Sequence, residues 1–517
     1  MEHQERPGRA RGLRRALSVV GALGLLGACG PINAGSLDTI SGGDPQTADD
    51  AAGLVGERDS NIAGKRLSSG AVHSKAAPDT PTTAALAKSA SDPLEKPSST
   101  TAIDSSDTPA ASALRLQSRR STTTTAPPPI TTIAPPPTPT IARPPTTTTP
   151  RSQPTGVIVN VTDFGAVPND AKDDQDAIQR AIDSAPPGAT VVFAPGAYLH
   201  RDVIEVHTTG VTLWGYGASL DGTNRQKHSV VLIGNKTSIL GFTIFSHPTE
   251  RLNAEEQMGI SIRFSDGSVA RDNTVRDTSS AGIFIWGASN YAVLNNVVEN
   301  TQSDGIHSVS GSHSGLIEGN RLRNVGDDCF AVISYIDEGL MTRDITIRNN
   351  SCVGGKARGL SVVGGTDVLM IGNRIEASAA AGVYLASEPS YDTYAAKRVQ
   401  VIANTFIGVN TNKDIYHGGV FIWGRSGSAS TKDGTVYSLQ NEDILIRDNT
   451  ITNTVVGSAQ IVAQGADSRR VNIAGNVLTG SKSPTRIDLA SNQYNLVRNT
   501  NNGSPIADHI GDASNLP

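Results

Sequence analysis

The sequence is dominated by a repeat in which an asparagine is followed, two positions later, by an apolar residue. Eight such asparagines lie mostly 23 to 31 residues apart, with one interval of 45 that requires an inserted loop. They are Asn273, Asn296, Asn320, Asn350, Asn373, Asn404, Asn449 and Asn476. This period, with short apolar segments between turn residues, fits stacked coils of a parallel β-helix better than a β-sandwich or βαβ units. The asparagines are expected to stack as an internal ladder of side-chain amides.

A second strand follows each ladder asparagine and predicts which side chains face outward. Positions 10 and 12 after the asparagine are apolar and are expected inside, so positions 11 and 13 should point out. The outward positions carry the aromatic residues Phe284, Trp286 and Tyr384. After the long insertion, Gly419 restarts the pattern and adds Phe421 and Trp423 to the row. Sugar rings have apolar faces, so this row predicts a polysaccharide-binding groove. The alternative is that inserted loops cover these rings and form a second small core.

The start of the repeat region predicts a cap for the solenoid. A strand is expected over Val157–Ala166 and another over Thr190–Tyr198. Between them, Asp173 or Asp174 should cap a short helix that covers the open end of the coil stack. Its apolar face consists of Ala177, Ile178, Ala181 and Ile182. The fold class is therefore all-β, a parallel β-helix over residues 157–500 with a short N-terminal capping helix, followed by a tail over 501–517.

The first 28 residues have the features of a secretory signal. Arg9, Arg11, Arg14 and Arg15 precede an apolar run over Ala16–Ala28, which is too short to span a bilayer comfortably. The run ends in Leu-Gly-Ala-Cys, which resembles the lipobox of bacterial lipoproteins and implies cleavage before Cys29 and lipidation of its thiol. The alternative is a secreted protein without an anchor. Both interpretations place the protein outside the cytoplasm, and lipidation also attaches it to the bacterial membrane.

Residues 29–156 form a predicted tether. No aromatic residue occurs before Phe164, and the segment is rich in Ala, Ser, Thr and Pro without apolar periodicity. Such a chain lacks the groups needed to offset the entropy of ordering. The net charge of −5 predicts no nucleic-acid partner. We expect a monomer whose partners are a polysaccharide and the membrane.

Charged residues gather at the position just before the second strand, eight residues after the ladder asparagine. This column contains Asp304, Asp328 and Arg358 in successive coils, and Asp327 precedes Asp328. Because adjacent coils lie about 4.8 Å apart, three carboxylates and a guanidinium should meet beside His307. Such proximity should raise at least one carboxyl pKa, as a general acid requires. Aspartates also favour turns for structural reasons.

Two sets of residues resemble a known superfamily. The run Val161–Tyr198 is similar to the opening segment of pectate-lyase-superfamily proteins, which implies a right-handed, pectin-lyase-like β-helix. Ser303–His307 (SDGIH) and Gly326–Val332 (GDDCFAV) resemble the aspartate motifs of polygalacturonase-type hydrolases of glycoside hydrolase family 28. The resemblance implies that Asp327 is the general acid and that Asp304 and Asp328 hold the attacking water. It also implies a Cys329–Cys352 disulfide, with two buried thiols as the alternative.

The chain departs from that family in its basic residues. Arg358 stands where the family has a histidine, and the family's Arg-Ile-Lys substrate motif has no counterpart around Val383 and Tyr384. The substrate is therefore left open between uronate-containing and neutral glycans. His307 is expected to be a catalytic helper or a sugar ligand, with an exposed histidine of no special role as the alternative. Glu388, Asp392, Asp414 and His417 should lie on inserted loops near the same groove, and their spacing favours no role.

Two other functions remain open at this point. β-Helix lyases and epimerases use clustered aspartates to hold calcium and an arginine as base, which would assign Ca²⁺ to Asp304, Asp327 and Asp328 and the base to Arg358. The hydrolase interpretation needs no cofactor. The third interpretation is a non-catalytic glycan-binding or envelope-structural lipoprotein.

Overall fold

A computed structural model describes residues 154, 156–454, 459–465, 468–480 and 483–512. The predicted signal peptide, Cys29 and the tether up to residue 153 lie outside the described residues. In the described part, no helix is long and apolar enough to cross a membrane.

The chain winds into a right-handed parallel β-helix with three long sheets, as predicted. Each complete coil adds one strand to sheet 1, then one to sheet 2, then one to sheet 3, and neighbouring coils pair in parallel register. A short turn containing the ladder asparagine joins sheets 1 and 2. A longer turn joins sheets 2 and 3, and the column of charged residues lies there.

The strand bounds follow the coil order. Sheet 1 contains Ile158–Asn160, Thr190–Val192, Thr212–Trp214, Ser238–Leu240, Val269–Arg271, Ala292–Leu294, His313–Glu318, Arg343–Arg348, Thr366–Ile371, Lys397–Ile402, Glu442–Arg447, Arg469–Ala474, Tyr494–Val497 and His509–Ile510. Sheet 2 contains Gly196–His200, Ala218–Gly222, Thr243–Ser246, Thr274–Arg276, Val297–Glu299, Arg321–Arg323, Ser351–Val353, Arg374–Glu376, Thr405–Ile407, Thr450–Thr452, Val477–Thr479, Thr500–Asn501 and Ser504–Pro505. Sheet 3 contains Ile204–Val206, Val230–Leu232, Ile260–Arg263, Ile283–Trp286, Ile306–Val309, Phe330–Ile333, Leu360–Val363, Val383–Ala386, Val420–Trp423, Ile461–Gln464 and Thr485–Ile487.

The asparagine ladder is confirmed. All eight predicted side chains are buried. The Nδ2 of each donates to the Oδ1 of the asparagine in the next coil over 2.9–3.1 Å, and the backbone N–H of each donates to the same oxygen. The ladder continues to Asn499, one coil beyond the eight predicted positions. Because every amide is satisfied inside the solenoid, these residues hold the coils together and are not exposed to a ligand.

A helix over Gln175–Ser184 covers the first coil, and the four apolar residues predicted for its inner face are buried. Asp174 lies at its N-terminus, but the carboxylate accepts the N–H of Val167 (2.8 Å) and caps no helical N–H. Asp173 accepts the N–H of Gln175 at 3.3 Å instead.

The two predicted strands around the helix are shorter than expected. Only Ile158–Asn160 is extended in the first, and a 3-10 turn over Val161–Phe164 follows it. The second divides into Thr190–Val192 in sheet 1 and Gly196–His200 in sheet 2. Pro195 lacks a backbone N–H and stands at the corner where the chain changes sheets.

The last coil is closed by residues beyond 500, which were assigned to the tail. Thr500–Asn501 pairs with Ser504–Pro505, and His509–Ile510 pairs with Tyr494–Val497, both antiparallel. These reversals occupy strand edges that a parallel coil leaves open.

The predicted insertion in the 45-residue interval is present. It includes an antiparallel hairpin of Ser428–Ser430 and Val436–Ser438, between a sheet 3 strand and the following sheet 1 strand. Leu439 from this insertion packs with Met341 and Tyr394, which come from two other inserted segments. The insertions thus form a small apolar cluster of their own beside sheet 3.

Candidate active site

The turns between sheets 2 and 3 bring the predicted charged column together. Ile306, Phe330 and Leu360 are register partners in sheet 3, so the residues two positions earlier, Asp304 and Asp328 among them, align across coils. One oxygen each from Asp304, Asp327 and Asp328 lie within 4.8 Å of one another. The residue between the column and each strand is usually glycine, and a Cβ on Gly305 would lie 2.6 Å from the carbonyl oxygen of Cys329. This close approach holds the two acidic turns together.

The hydrogen-bond partners of Asp304 favour its ionised form. Its Oδ2 lies 2.8 Å from Nδ1 of His307, and its Oδ1 accepts the N–H of Asp328 at 3.1 Å. Burial by itself raises the pKa of Asp304. The charges of His307 and Arg251 and the hydrogen bonds outweigh burial, so this pKa lies below its ordinary value. Asp304 therefore stays ionised near neutral pH and orients His307.

Asp327 has the opposite electrostatic environment. Burial, followed by the negative charges of Asp304 and Asp328, raises the pKa of Asp327 to about 7, although Arg251 and Arg358 oppose the shift. Its Oδ2 accepts a hydrogen bond from Nη1 of Arg251 at 2.8 Å. With 17% of its side chain exposed, Asp327 is the most accessible of the three carboxylates. A carboxyl that stays protonated near neutral pH and reaches solvent can donate a proton to a substrate.

Asp328 is the most deeply buried of the three. Its Oδ1 accepts the backbone N–H of Arg358 at 2.8 Å, and the Arg358 guanidinium lies 3.8 Å from the same oxygen. Burial raises the pKa of Asp328, the charge of Arg358 lowers it, and the charge of Asp304 raises it; the net shift is upward.

Arg358 is held as a permanent cation. Nη2 donates to Oε1 of Glu388 at 3.0 Å, and the guanidinium lies over the ring of Tyr384 at 4.4 Å. Burial by itself lowers the pKa of Arg358, but the charges of Asp328 and Glu388 raise it well above its ordinary value. A guanidinium in this environment retains its proton.

The three aspartates fit a calcium ion poorly. Calcium takes six to eight oxygen ligands, whereas both oxygens of Asp304 and one oxygen each of Asp327 and Asp328 already have nitrogen partners. Two guanidinium groups also lie at the site, and their charges oppose a second cation. The donor set therefore suits proton transfer better than metal binding.

A family comparison agrees with the fold. Residues 158–384, which include the three aspartates and Arg358, match the family described as Rhamnogalacturonase A/epimerase, pectate lyase-like. The described domain has the parallel β-helix fold and is similar to this family over residues 158–384. The right-handed, pectin-lyase-like fold implied by the sequence motifs is thereby confirmed.

Individual relatives are similar to parts of the domain. Plasmin and fibronectin-binding protein A of Streptococcus pneumoniae (strain ATCC BAA-255 / R6) is 27% identical over 181 residues, covering 32% of this chain and 24% of that protein. The chain thus matches about a quarter of that relative. The Agl-KA catalytic domain has a TM-score of 0.56 at 15% identity, with 71% of this chain and 67% of that chain covered. The A-module of the mannuronan C-5 epimerase AlgE6 from Azotobacter vinelandii has a TM-score of 0.50 at 19% identity, covering 68% of this chain and 96% of that chain.

The expected exposed row of aromatic residues is wrong for three of its five members. Phe284 is 2% exposed in the pectate-lyase-like domain, and Tyr384 and Phe421 are also buried. Their side chains do point away from the solenoid core, but they pack in separate clusters above sheet 3. Only Trp286 and Trp423 keep partly exposed rings. The alternative of a second small core therefore applies to most of the row.

Inserted residues explain this burial. Met258, from the insertion that precedes sheet 3 strand Ile260–Arg263, packs on Phe284. His417 stacks on Phe421 with ring centroids 4.3 Å apart, and the ring of Tyr384 is nearly parallel to both, with centroid distances of 5.4 and 5.7 Å. Burial lowers the pKa of His417 to about 3, so it is a neutral packing group. Apolar side chains thus fill the face of sheet 3 on both sides of the acidic turns along the solenoid axis.

The predicted Cys329–Cys352 disulfide is present, with Cα atoms 6.3 Å apart. Cys329 follows Asp328 directly, and Cys352 lies in the sheet 2 strand of the next coil. The bond therefore fixes the second acidic turn to its neighbour.

Sequence reasoning missed Arg251 and gave Glu388 no role. Arg251 lies in the insertion between Thr243–Ser246 and Ile260–Arg263, three coils before Asp327, and no motif there indicates a contact. Glu388 was placed near the groove, but its ion pair with Arg358 depends on the path of an inserted loop.

Proposed function

We propose that this protein is an extracytoplasmic, polysaccharide-active enzyme, and specifically a glycoside hydrolase. The observation that carries the proposal is the divergence of carboxyl pKa values within one site: that of Asp327 is raised to about 7, while that of Asp304 lies below its ordinary value. Glycoside hydrolysis requires one protonated and one ionised carboxyl group flanking the scissile bond. The similarity to rhamnogalacturonase-type proteins supports the same class.

Each residue then has a definite task. Asp327, the most exposed carboxyl, donates its proton to the leaving glycosidic oxygen as the bond to the anomeric carbon breaks. Asp304, ionised, and Asp328 orient the attacking water and accept its proton. His307 is aligned by Asp304 through the 2.8 Å contact and positions that carboxylate. Arg251 limits the rise in the pKa of Asp327, because its positive charge stabilises the ionised form.

A calcium-dependent lyase or epimerase is the second candidate, supported by the similarity to a mannuronan epimerase module. It requires Arg358 to abstract a proton. The ion pairs of Arg358 with Asp328 and Glu388 and its raised pKa disfavour that role, and the crowded donor set disfavours calcium.

Adhesion without catalysis is the third candidate. A relative described as a plasmin and fibronectin-binding protein shares part of the chain, so a β-helix of this kind also suits a surface-binding role. That similarity also supports the proposed location outside the cytoplasm. Attachment through lipidated Cys29 rests on the lipobox-like sequence.

The deciding experiment incubates the purified protein with polygalacturonate, rhamnogalacturonan, mannuronan and neutral glucans, with and without a calcium chelator. New reducing ends without ultraviolet absorbance from unsaturated uronates are expected, and the chelator should have no effect. Asp328→Asn should abolish turnover while the fold stays intact, whereas Asp183→Asn on the capping helix should be fully active. Unsaturated products lost on chelation would establish a lyase, and silence in both assays would favour a binding protein.

A further inference from the structure

Phe264 is an exposed aromatic residue in a backbone conformation that disfavours it. It follows sheet 3 strand Ile260–Arg263, its side chain is 64% exposed, and its φ is +47°. In the register of sheet 3, the equivalent residues of other coils are glycine or serine, and those with positive φ are Gly287, Ser310, Gly364 and Gly465. A bulky residue in this left-handed region is strained, and such strain concentrates at functional positions.

The ring of Phe264 packs on the next coil at the protein surface. A Cβ on Gly287 would lie 2.6 Å from Cδ1 of Phe264, so the ring rests directly on the glycine backbone. The ring centroid lies 5.4 Å from that of the partly exposed Trp286, at an interplanar angle of 44°. The guanidinium carbon of Arg263 lies 5.7 Å from the centroid of the Trp286 ring. Nη1 of Arg263 donates a hydrogen bond to Oε2 of Glu255 at 2.9 Å. We call Phe264 and Trp286 the aromatic platform.

Stability does not account for this arrangement. An exposed ring buries little apolar area, whereas glycine at the same position would adopt the positive φ without strain. A residue that costs conformational energy and gains little burial suits contact with a ligand instead.

A continuous line of rings joins the platform to the acidic turns. Trp286 lies 6.5 Å from Phe284, Phe284 lies 5.1 Å from His307, and His307 contacts Asp304. The line crosses sheet 3 obliquely, and strand and coil spacings place the platform about 17–20 Å from Asp304. Phe284 and His307 are buried, and the clusters around Phe284 and Tyr384 fill the face of sheet 3 along the solenoid axis. The platform is therefore the exposed aromatic surface at the far end of this oblique line.

We propose that the aromatic platform is a distal subsite that binds a sugar ring of the polysaccharide, several units from the cleaved bond. This inference rests on the proposed function. Sugar rings present apolar C–H faces that pack on aromatic rings, while their hydroxyl groups remain solvated at the rim. The substrate chain accordingly crosses sheet 3 obliquely from the acidic turns to Phe264 and does not follow the solenoid axis.

The test uses Phe264→Gly in the full chain, with the four polysaccharides named above. The variant should unfold at an equal or higher temperature, because glycine relieves the strain. Its KM on the polysaccharide that is cleaved should rise about fivefold to tenfold with kcat unchanged. Cleavage of the shortest oligosaccharide substrate should be unaffected. Ala403→Gly, which relieves a φ of +52° at a remote turn, is the matched control and should leave KM unchanged.

Retention in gels containing each polysaccharide separates the two proposals. If the wild type is retained without cleaving anything and Phe264→Gly is released, the subsite holds and the hydrolase proposal fails. If the wild type cleaves and Phe264→Gly has a normal KM, the subsite is overturned and the hydrolase stands. If no polysaccharide retains the wild type, the subsite is likewise overturned. A lower unfolding temperature for Phe264→Gly with a normal KM would assign the ring a structural role.

Discussion

Nη1 of Arg251 lies 2.8 Å from Oδ2 of Asp327, although the two residues are 76 positions apart in the chain. The contact spans two intervening coils and brings an inserted loop onto Asp327, whose pKa is raised to about 7. Two arginines, Arg251 and Arg358, thus flank three carboxylates from opposite sides. The site balances burial and like-charge repulsion, which raise the pKa of Asp327, against cationic neighbours that lower it.

The alkaline limb of activity should report Asp327. Because the acid must be protonated and its pKa is about 7, kcat/KM should be constant at mildly acidic pH and fall tenfold per unit above about pH 7. Asp327→Asn should lose about 10²- to 10⁴-fold in rate and lose this limb. The measurement is initial rate against pH on a cleaved polysaccharide. A limb unchanged in Asp327→Asn would remove Asp327 as the acid.

Replacing Arg251 should shift the alkaline limb of the pH profile to higher pH. Arg251→Gln keeps a hydrogen-bond donor but removes the positive charge that stabilises ionised Asp327, so the apparent pKa should rise by about one unit. The matched control, Arg398→Gln, breaks an ion pair with Asp367 on sheet 1 and should leave the pH profile unchanged. A downward shift in Arg251→Gln would contradict the assigned electrostatics.

Interior ladder asparagines should be costly to replace. In Asn350→Leu, the N–H and Nδ2 of Asn320 lose their acceptor, and Oδ1 of Asn373 loses a donor. We expect the free energy of unfolding to fall by roughly 4 kcal/mol. Asn499→Leu, at the end of the ladder, should cost about half as much, because it has one ladder neighbour instead of two. Urea unfolding followed by circular dichroism measures both, and equal losses would contradict the ladder's cooperative role.

The Cys329–Cys352 disulfide should stabilise the acidic turns. It closes a loop with a sequence separation of 23, so the Cys329→Ser/Cys352→Ser variant should lose about 3 kcal/mol of unfolding free energy. Reductant should lower the unfolding temperature of the wild type but not that of the double variant. If reductant affects both proteins equally, the bond contributes nothing specific to stability.

The solenoid and the positions of its catalytic candidates follow from local sequence alone. The ladder asparagines recur because each coil needs one amide at the same corner, and strand alternation then places Asp304, Asp328 and Arg358 in one column. Asp327 and Cys329 follow from the motif that surrounds them. In a parallel β-helix, each coil contacts its sequence neighbours, so the period by itself specifies which residues meet.

Tertiary structure alone decided what the insertions do. Loops of irregular length have no register, so their paths depend on packing between segments distant in sequence. These paths brought Arg251 to Asp327 and Glu388 to Arg358, buried Phe284 and Tyr384 beneath inserted residues, and left Phe264 exposed. The raised pKa of Asp327 also depends on the tertiary structure, because burial, its largest cause, is a property of the assembled site.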